Sequence, residues 1–378
     1  MSGSAVSKNV RLLGHCDLNG QGDAMQVMIK DNILYVGRMT AGRPMLILDI
    51  SNSRDPHVVG ELPSYPGTWH TKCQVNGDFL IVNYEQREKA NPAGRTGFSV
   101  FDISEPARPH EVTYVNTGGR GVHRIWWAGE RYCYVFGRPD GFRDRMLEIY
   151  DLQEMSRPRL VGRWWTPGLW EGGGEAPPAP ARNGPSLSIH HGIYNNGRLY
   201  CGHWDAGLLI LDVGDPIKPS VVSQLEWPER CGCHTHTAQP LPGRNLLVVL
   251  DEATEGSNPT YMHLVDIADE RHLREVSRWR PDEGTYAGRG GRYGPHNLHE
   301  HRPGTYWSDH TVFVAAFNAG LQVLDISDPA KPAVTGYYVP TVPPAQPVCY
   351  TNDVIVAEDG RIFITDRVSG GLHVLEMR

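Results

Sequence analysis

The sequence predicts an all-β fold, a seven-bladed β-propeller with four antiparallel strands in each blade. Three observations predict it. A strand–acid–turn–proline–strand phrase recurs along the chain, a hairpin pattern precedes each copy, and turn formers are abundant. Gly 42 and Pro 29 stand against only 21% charged residues. That balance suits many short strands joined by tight turns rather than a helical bundle. A chain of 378 residues is long for one domain, but repeat folds use such lengths as a single unit.

The phrase reads MLILDISNSRDPHVVGEL from Met45, FSVFDISEPARPHEVTYV from Phe98 and LEIYDLQEMSRPRLVGRW from Leu147. It returns as LLILDVGDPIKPSVVSQL from Leu208 and LQVLDISDPAKPAVTGYY from Leu321, with a degraded copy, MHLVDIADERHLREVSRW, from Met262. Its acids, Asp49, Asp102, Asp151, Asp212, Asp266 and Asp325, lie 49 to 61 residues apart. They read as turn builders, because an aspartate carboxylate bonds nearby backbone N–H groups. A seventh copy starts at the C-terminus as LHVLEMR and stops before its second strand. Residues 10–14, VRLLG, match the missing piece, so the N-terminus is expected to complete the last blade and close the ring. The whole of 1–378 is then one domain.

Each phrase follows another strand pair, as in KCQVNGDFLIVN, GIYNNGRLYCG and VIVAEDGRIFIT. Turn doublets such as Asn76-Gly77, Asn196-Gly197 and Asp359-Gly360 mark the hairpins. Two strands of hairpin and two of phrase make the four-stranded blade. The phrase resembles the LVIVD repeat, and the resemblance extends over nearly the whole chain. It implies this architecture and no particular activity.

Aligning the first strands on their hairpin turns exposes a second regularity. His70 falls eight residues before Asp78, His123 eight before Arg131 and His190 eight before Arg198. His236 and His296 take the same place before longer hairpins, Asp353 takes it in the last blade, and Ala24 in the first. Flanking residues vary (WHTK, VHRI, IHHG, THTA, PHNL) while the histidine does not. First strands of a propeller line its central channel, so equivalent positions converge on the axis. Converging imidazoles are what a divalent transition metal needs. The expected ligands are His70, His123, His190, His236 and His296. Iron or copper is favoured, with manganese or zinc as alternatives. Without an ion, the same histidines would bond neighbouring blades and channel waters.

Further residues are assigned by their nearness to that ring. His191, His234, Asp353 and Tyr350 are candidate catalytic groups for proton transfer. Arg38, Arg138, Arg292 and Arg367, with Trp204, are candidate substrate contacts at the rim, because guanidinium groups pair with carboxylate or phosphate. Arg120, Arg289, Tyr65, Tyr84, Tyr286 and Tyr293 enrich the same rim, and the acids Glu85, Asp251 and Glu252 end second strands. Three long loops frame it, Thr166 to Ser188, Pro281 to Pro295 and Pro340 to Asn352; the first is a candidate lid. Cys231-Gly232-Cys233-His234 is too tightly spaced for a closed zinc finger.

Composition narrows the partners. A net charge of -7 argues against nucleic acid, and no stretch of 18 apolar residues suggests a membrane span. The opening residues lack the apolar core of a secretory signal, and seven irregularly spaced cysteines do not form a disulfide framework. A cytoplasmic protein is expected; the oligomeric state is open. The site resembles those of carotenoid-cleaving oxygenases, the selenium-binding protein and methanethiol oxidase family, and oligogalacturonate lyases, where propeller histidines hold a metal. The expectation is therefore a metal-dependent oxidoreductase or oxygenase acting on a small organic anion. A metal-assisted lyase or hydrolase on a carboxylate-bearing substrate is the alternative. A binding module without catalysis is the third reading.

Overall fold

The computed structural model describes residues 5–87, 91–174, 176, 186–227, 234–254 and 260–378. Five four-stranded antiparallel sheets follow one another along the chain, and a nine-stranded sheet completes the set. Each four-stranded sheet is one hairpin followed by one phrase. In the third, Gly121–Trp126, Tyr132–Arg138, Met146–Asp151 and Arg159–Trp164 lie side by side in chain order. This is a β-propeller arrangement. Among the described residues, no helix is long and apolar enough to cross a membrane.

The nine-stranded sheet holds two such runs. They meet where Thr311–Phe317 touches Thr351–Val356 through one pair, Phe317 with Thr351. Both of its outer edges use the start of the chain. Val10–Cys16 pairs antiparallel with Gly371–Met377, and Val6–Lys8 pairs with Ala333–Val339. Residues 6–16 thus clasp two runs of strands that the chain reaches only at its end.

The aspartates of the phrase behave as turn builders. Asp49, Asp102, Asp151, Asp212, Asp266 and Asp325 each accept the backbone N–H two residues on, at 2.7 to 2.9 Å. Apolar residues alternate to both faces of the inner strands and pack sheet on sheet. One cluster joins Leu34 and Val36 with Leu80 and Val82 of the next sheet and Phe363 and Val374 of the last run. Burying both faces is why these strands read as near-continuous apolar runs.

Candidate functional site: a histidine cluster on the inner strands

The inner strands share a device that aims side chains inward. Strand pairing skips His123 between Val122 and Arg124, and His236 between Thr235 and Thr237. It likewise skips Asn352 between Thr351 and Asp353, and Met25 with Gln26 between Ala24 and Val27. His296 lies inside a longer irregularity, between Tyr293 and Asn297. His190 sits one residue before its strand, where its N–H donates to Gly202 O at 2.9 Å. A bulge frees one residue from the ladder and re-aims its side chain. Every one of these residues lines a single cavity of about 110 Å³. That space is several times what one water requires.

Four imidazoles form a contiguous arc there. Ring centroids are 4.6 Å apart for His123 and His190, 3.9 Å for His190 and His236, and 4.5 Å for His236 and His296. The Nε2 atoms of His123 and His190 are 2.8 Å apart. His123 Nδ1 lies 2.6 Å from Glu85 Oε2, and His296 Nδ1 lies 2.7 Å from Asn352 O. Carboxylates and carbonyls only accept, so both Nδ1 atoms donate and both Nε2 atoms carry lone pairs. His236 Nδ1 meets Thr237 Oγ1 at 3.0 Å. Glu252 faces the cluster, with carboxylate oxygens 3.6 Å from His236 Nε2 and 3.5 Å from His296 Nε2. Ligand atoms of His190, His236 and Glu252 lie within 4.8 Å of one another.

Electrostatics keep the arc neutral. Burial, then Arg145, holds His123 well below the usual imidazole range. Burial with the neighbouring imidazoles does the same for His190 and His236, and burial takes His296 down to about 3. Burial pushes the Glu252 carboxyl up, but His296, Arg367 and Arg292 together hold it down to about 2. The bare Nε2 lone pair of His296 therefore faces the ionised Glu252 carboxylate, an arrangement that an intervening cation would stabilise.

Five guanidinium groups also line the cavity, from Arg87, Arg124, Arg145, Arg292 and Arg367. Arg292 reaches Glu252 at 2.8 Å and Arg367 at 3.8 Å. Arg145 lies 3.8 Å from Glu85. Lys72 completes the wall, and burial followed by Arg124 holds its ammonium well below the usual range. Trp204, at a positive φ of 39°, lines the cavity beside His190 and packs, tilted, against His234.

Several expected residues lie elsewhere. His70 keeps its offset from the hairpin but does not join the arc. Its strand starts only at Cys73, and its ring packs against Tyr65 and Tyr84. Lys72 faces the cavity from that sheet instead. Arg38 is buried in an ion pair with Asp23, and Arg138 bonds Phe142 O at 3.0 Å; neither lines the cavity. Tyr350 also stays outside it, with its hydroxyl against Gly291. His191, next to a re-aimed residue, points the other way, as successive strand residues do. It bonds Glu300 at 2.9 Å beneath Trp126. His234 bonds Asp205 at 2.7 Å. Asp353 accepts Val27 N–H at 3.1 Å, and burial pushes it up to about 7. No described residue of the Thr166 to Ser188 loop lines the cavity, and residues 175 and 177–185 of that lid candidate lie outside the described residues. Cys231 and Cys233 lie outside them too.

Glu85, Glu252, Arg124, Arg145 and Lys72 have no role assigned from sequence. A signal exists for the first two. Each directly follows the second strand of a hairpin, Phe79–Tyr84 and Leu246–Asp251.

Comparisons with known proteins bear on the architecture. The LVIVD repeat model matches residues 21–62, 93–117, 197–226 and 309–339. No curated protein sequence matches the chain. Among solved structures, a protein from Lactobacillus plantarum is similar at a TM-score of 0.58 and 13% identity, over 95% of this chain and 98% of that one. Chaetomium thermophilum Sqt1 is similar at 0.58 and 9% identity, over 97% of each. A functionally unknown protein from Desulfotomaculum acetoxidans is similar at 0.55 and 10% identity, over 94% and 90%. At such identities the likeness concerns the fold alone. Repeats, sheets and likeness agree: the chain carries LVIVD repeats in four segments and has a β-propeller fold.

Proposed function

We propose that the chain is a metal-dependent enzyme whose ion sits among His123, His190, His236 and His296, with Glu252 as an oxygen donor. In this reading the propeller has seven blades, the nine-stranded sheet being two of them joined at Phe317 and Thr351. One observation carries the proposal. Imidazoles from four successive blades meet, with Nε2 of His123 and His190 2.8 Å apart and Nε2 of His236 and His296 facing the Glu252 carboxylate. The groups behind them, Glu85 and the Asn352 carbonyl, orient the rings as metal-ligating histidines require.

The favoured reaction is oxidation of a small organic anion, because a donor set dominated by imidazole suits iron or copper. A bound ion would supply the redox step or Lewis acidity. The chain's own groups would bind and orient the anion through Arg145, Arg292 and Arg367, with Trp204 covering the arc. The presence of Glu252 favours a second reading, a lyase or hydrolase. Two imidazoles and one carboxylate suit zinc or manganese that polarises a carboxylate or activates water.

Elemental analysis of protein purified without chelator tests both readings. One equivalent of iron or copper, with oxygen uptake on a substrate screen, is the expected result. One equivalent of zinc or manganese and no oxygen uptake selects the second reading. Less than a tenth of an equivalent of any transition metal, even after reconstitution, overturns both.

A further inference from the structure

We infer that the cavity holds a small dianion beside the histidine arc, bound by Lys72, Arg124, Arg145 and Arg367. The inference rests on the metal-site reading for its catalytic meaning, but the binding site itself is argued without the ion. Five guanidinium groups line the cavity. Among the described residues, two carboxylates reach them, Glu252 toward Arg292 and Arg367, and Glu85 toward Arg145. Glu85 is already committed to His123. Guanidinium stays charged at any ordinary pH, so the excess of positive charge is permanent.

Arg124 makes the case sharpest. It is 1% exposed, so bulk ions do not screen it. Its Nη2 bonds only the neutral Asn297 side chain, at 2.6 Å, and its Nε has no hydrogen-bond partner among the described residues. Glu300 and Asp353 are close enough to favour its charge. Yet Glu300 bonds His191 and Arg302, and Asp353 accepts Val27 N–H. Among the described residues, Arg367 Nη1 also lacks a hydrogen bond, with Glu252 at 3.8 Å, and Lys72 Nζ has one neutral partner, Thr71, at 3.2 Å. A buried cation without a bonded anion is strongly unfavourable, and donors left unused add to that cost.

A single negative charge leaves most of this excess standing, whereas two charges on one small molecule offset far more of it. Guanidinium groups select planar or tetrahedral oxyanions through paired N–H donors. The volume of about 110 Å³ admits only a compact ligand. The shared chemistry is thus a short dicarboxylate or a phosphoryl group.

Titration calorimetry on the full chain, stripped of metal with chelator, tests this with malonate, succinate, inorganic phosphate and acetate at constant ionic strength. At least one dianion is expected to bind tenfold or more tightly than acetate. Lys72→Met and Arg124→Met should each weaken that dianion at least tenfold. If Arg124→Met does not fold, Lys72→Met, checked by circular dichroism, carries the test. A preference for malonate or succinate assigns a dicarboxylate, and a preference for phosphate assigns a phosphoryl group. Acetate binding as well as the best dianion, no anion binding at all, or folded variants that bind like the parent would overturn the inference. Because the protein is metal-free throughout, dianion binding survives a failure of the metal reading, and a metal-loaded protein survives the loss of dianion binding.

Discussion

His236 and His70 occupy the same phase of the repeat and end in opposite surroundings. His236 is lifted out of its ladder between Thr235 and Thr237 and faces three other charged or imidazole side chains across the cavity. His70 precedes its strand by three residues and lies among Tyr65, Tyr84 and Arg95, both ring nitrogens without a hydrogen bond among the described residues. The difference teaches that an offset from a hairpin fixes how far along the blade a residue lies. Which way its side chain points depends on where the ladder drops a residue.

The largest expected effect separates these two histidines directly. His236→Ala should remove at least nine-tenths of bound metal while the folded ring persists, because most strand pairing is untouched. His70→Phe should leave metal content unchanged, since a ring of similar shape fits between the two tyrosines and removes two unsatisfied nitrogens. Metal analysis of both variants, with far-ultraviolet circular dichroism for folding, decides the matter. Loss of metal in His70→Phe, or full metal in His236→Ala, would reverse the assignment.

Next in size is Glu252→Gln. It removes the carboxylate facing His236 and His296 but keeps the shape. A direct oxygen donor converted to an amide should cost more than a hundredfold in metal affinity, read by competition with a coloured chelator. A change under threefold would place Glu252 outside the ligand set.

Glu85→Gln acts one shell further out. Glu85 orients His123 through Nδ1. Outer partners of this type are worth about 10–100-fold in metal affinity. Metal affinity should fall within that range while His123→Ala falls further. Equal losses in the two variants would mean that Glu85 is itself a ligand.

The smallest effect concerns pH. Burial holds His70, His203 and His299 down to about 4 each, against an ordinary value near 6.5. Between those values the unfolded chain binds more protons than the folded one, so stability falls as pH drops from about 6.5 toward 4. Asp353, raised to about 7 by burial, works the other way, but it is one group against three. His263, raised to about 9 because Asp251 and Glu275 outweigh its burial, keeps its full contribution throughout this window. The urea midpoint of metal-free protein should be lower at pH 5 than at pH 7. An equal or higher midpoint at pH 5 would contradict these environments.

Much of this was legible in the amino-acid sequence. The repeated phrase located six turn-building aspartates, and the unfinished copy at the C-terminus anticipated the pairing of Val10–Cys16 with Gly371–Met377. Those features are local or depend on side-chain alternation, which adjacent residues specify by themselves. Histidine phase picked out four members of the arc for the same reason. It could not see that His70 turns aside or that Arg38 pairs with Asp23. Nor could it see that Glu252, from the end of another strand, faces one histidine of its own sheet and one of the next. Direction, charge pairing and desolvation are set by contacts between sheets far apart in the chain, and only the closed tertiary arrangement decides them.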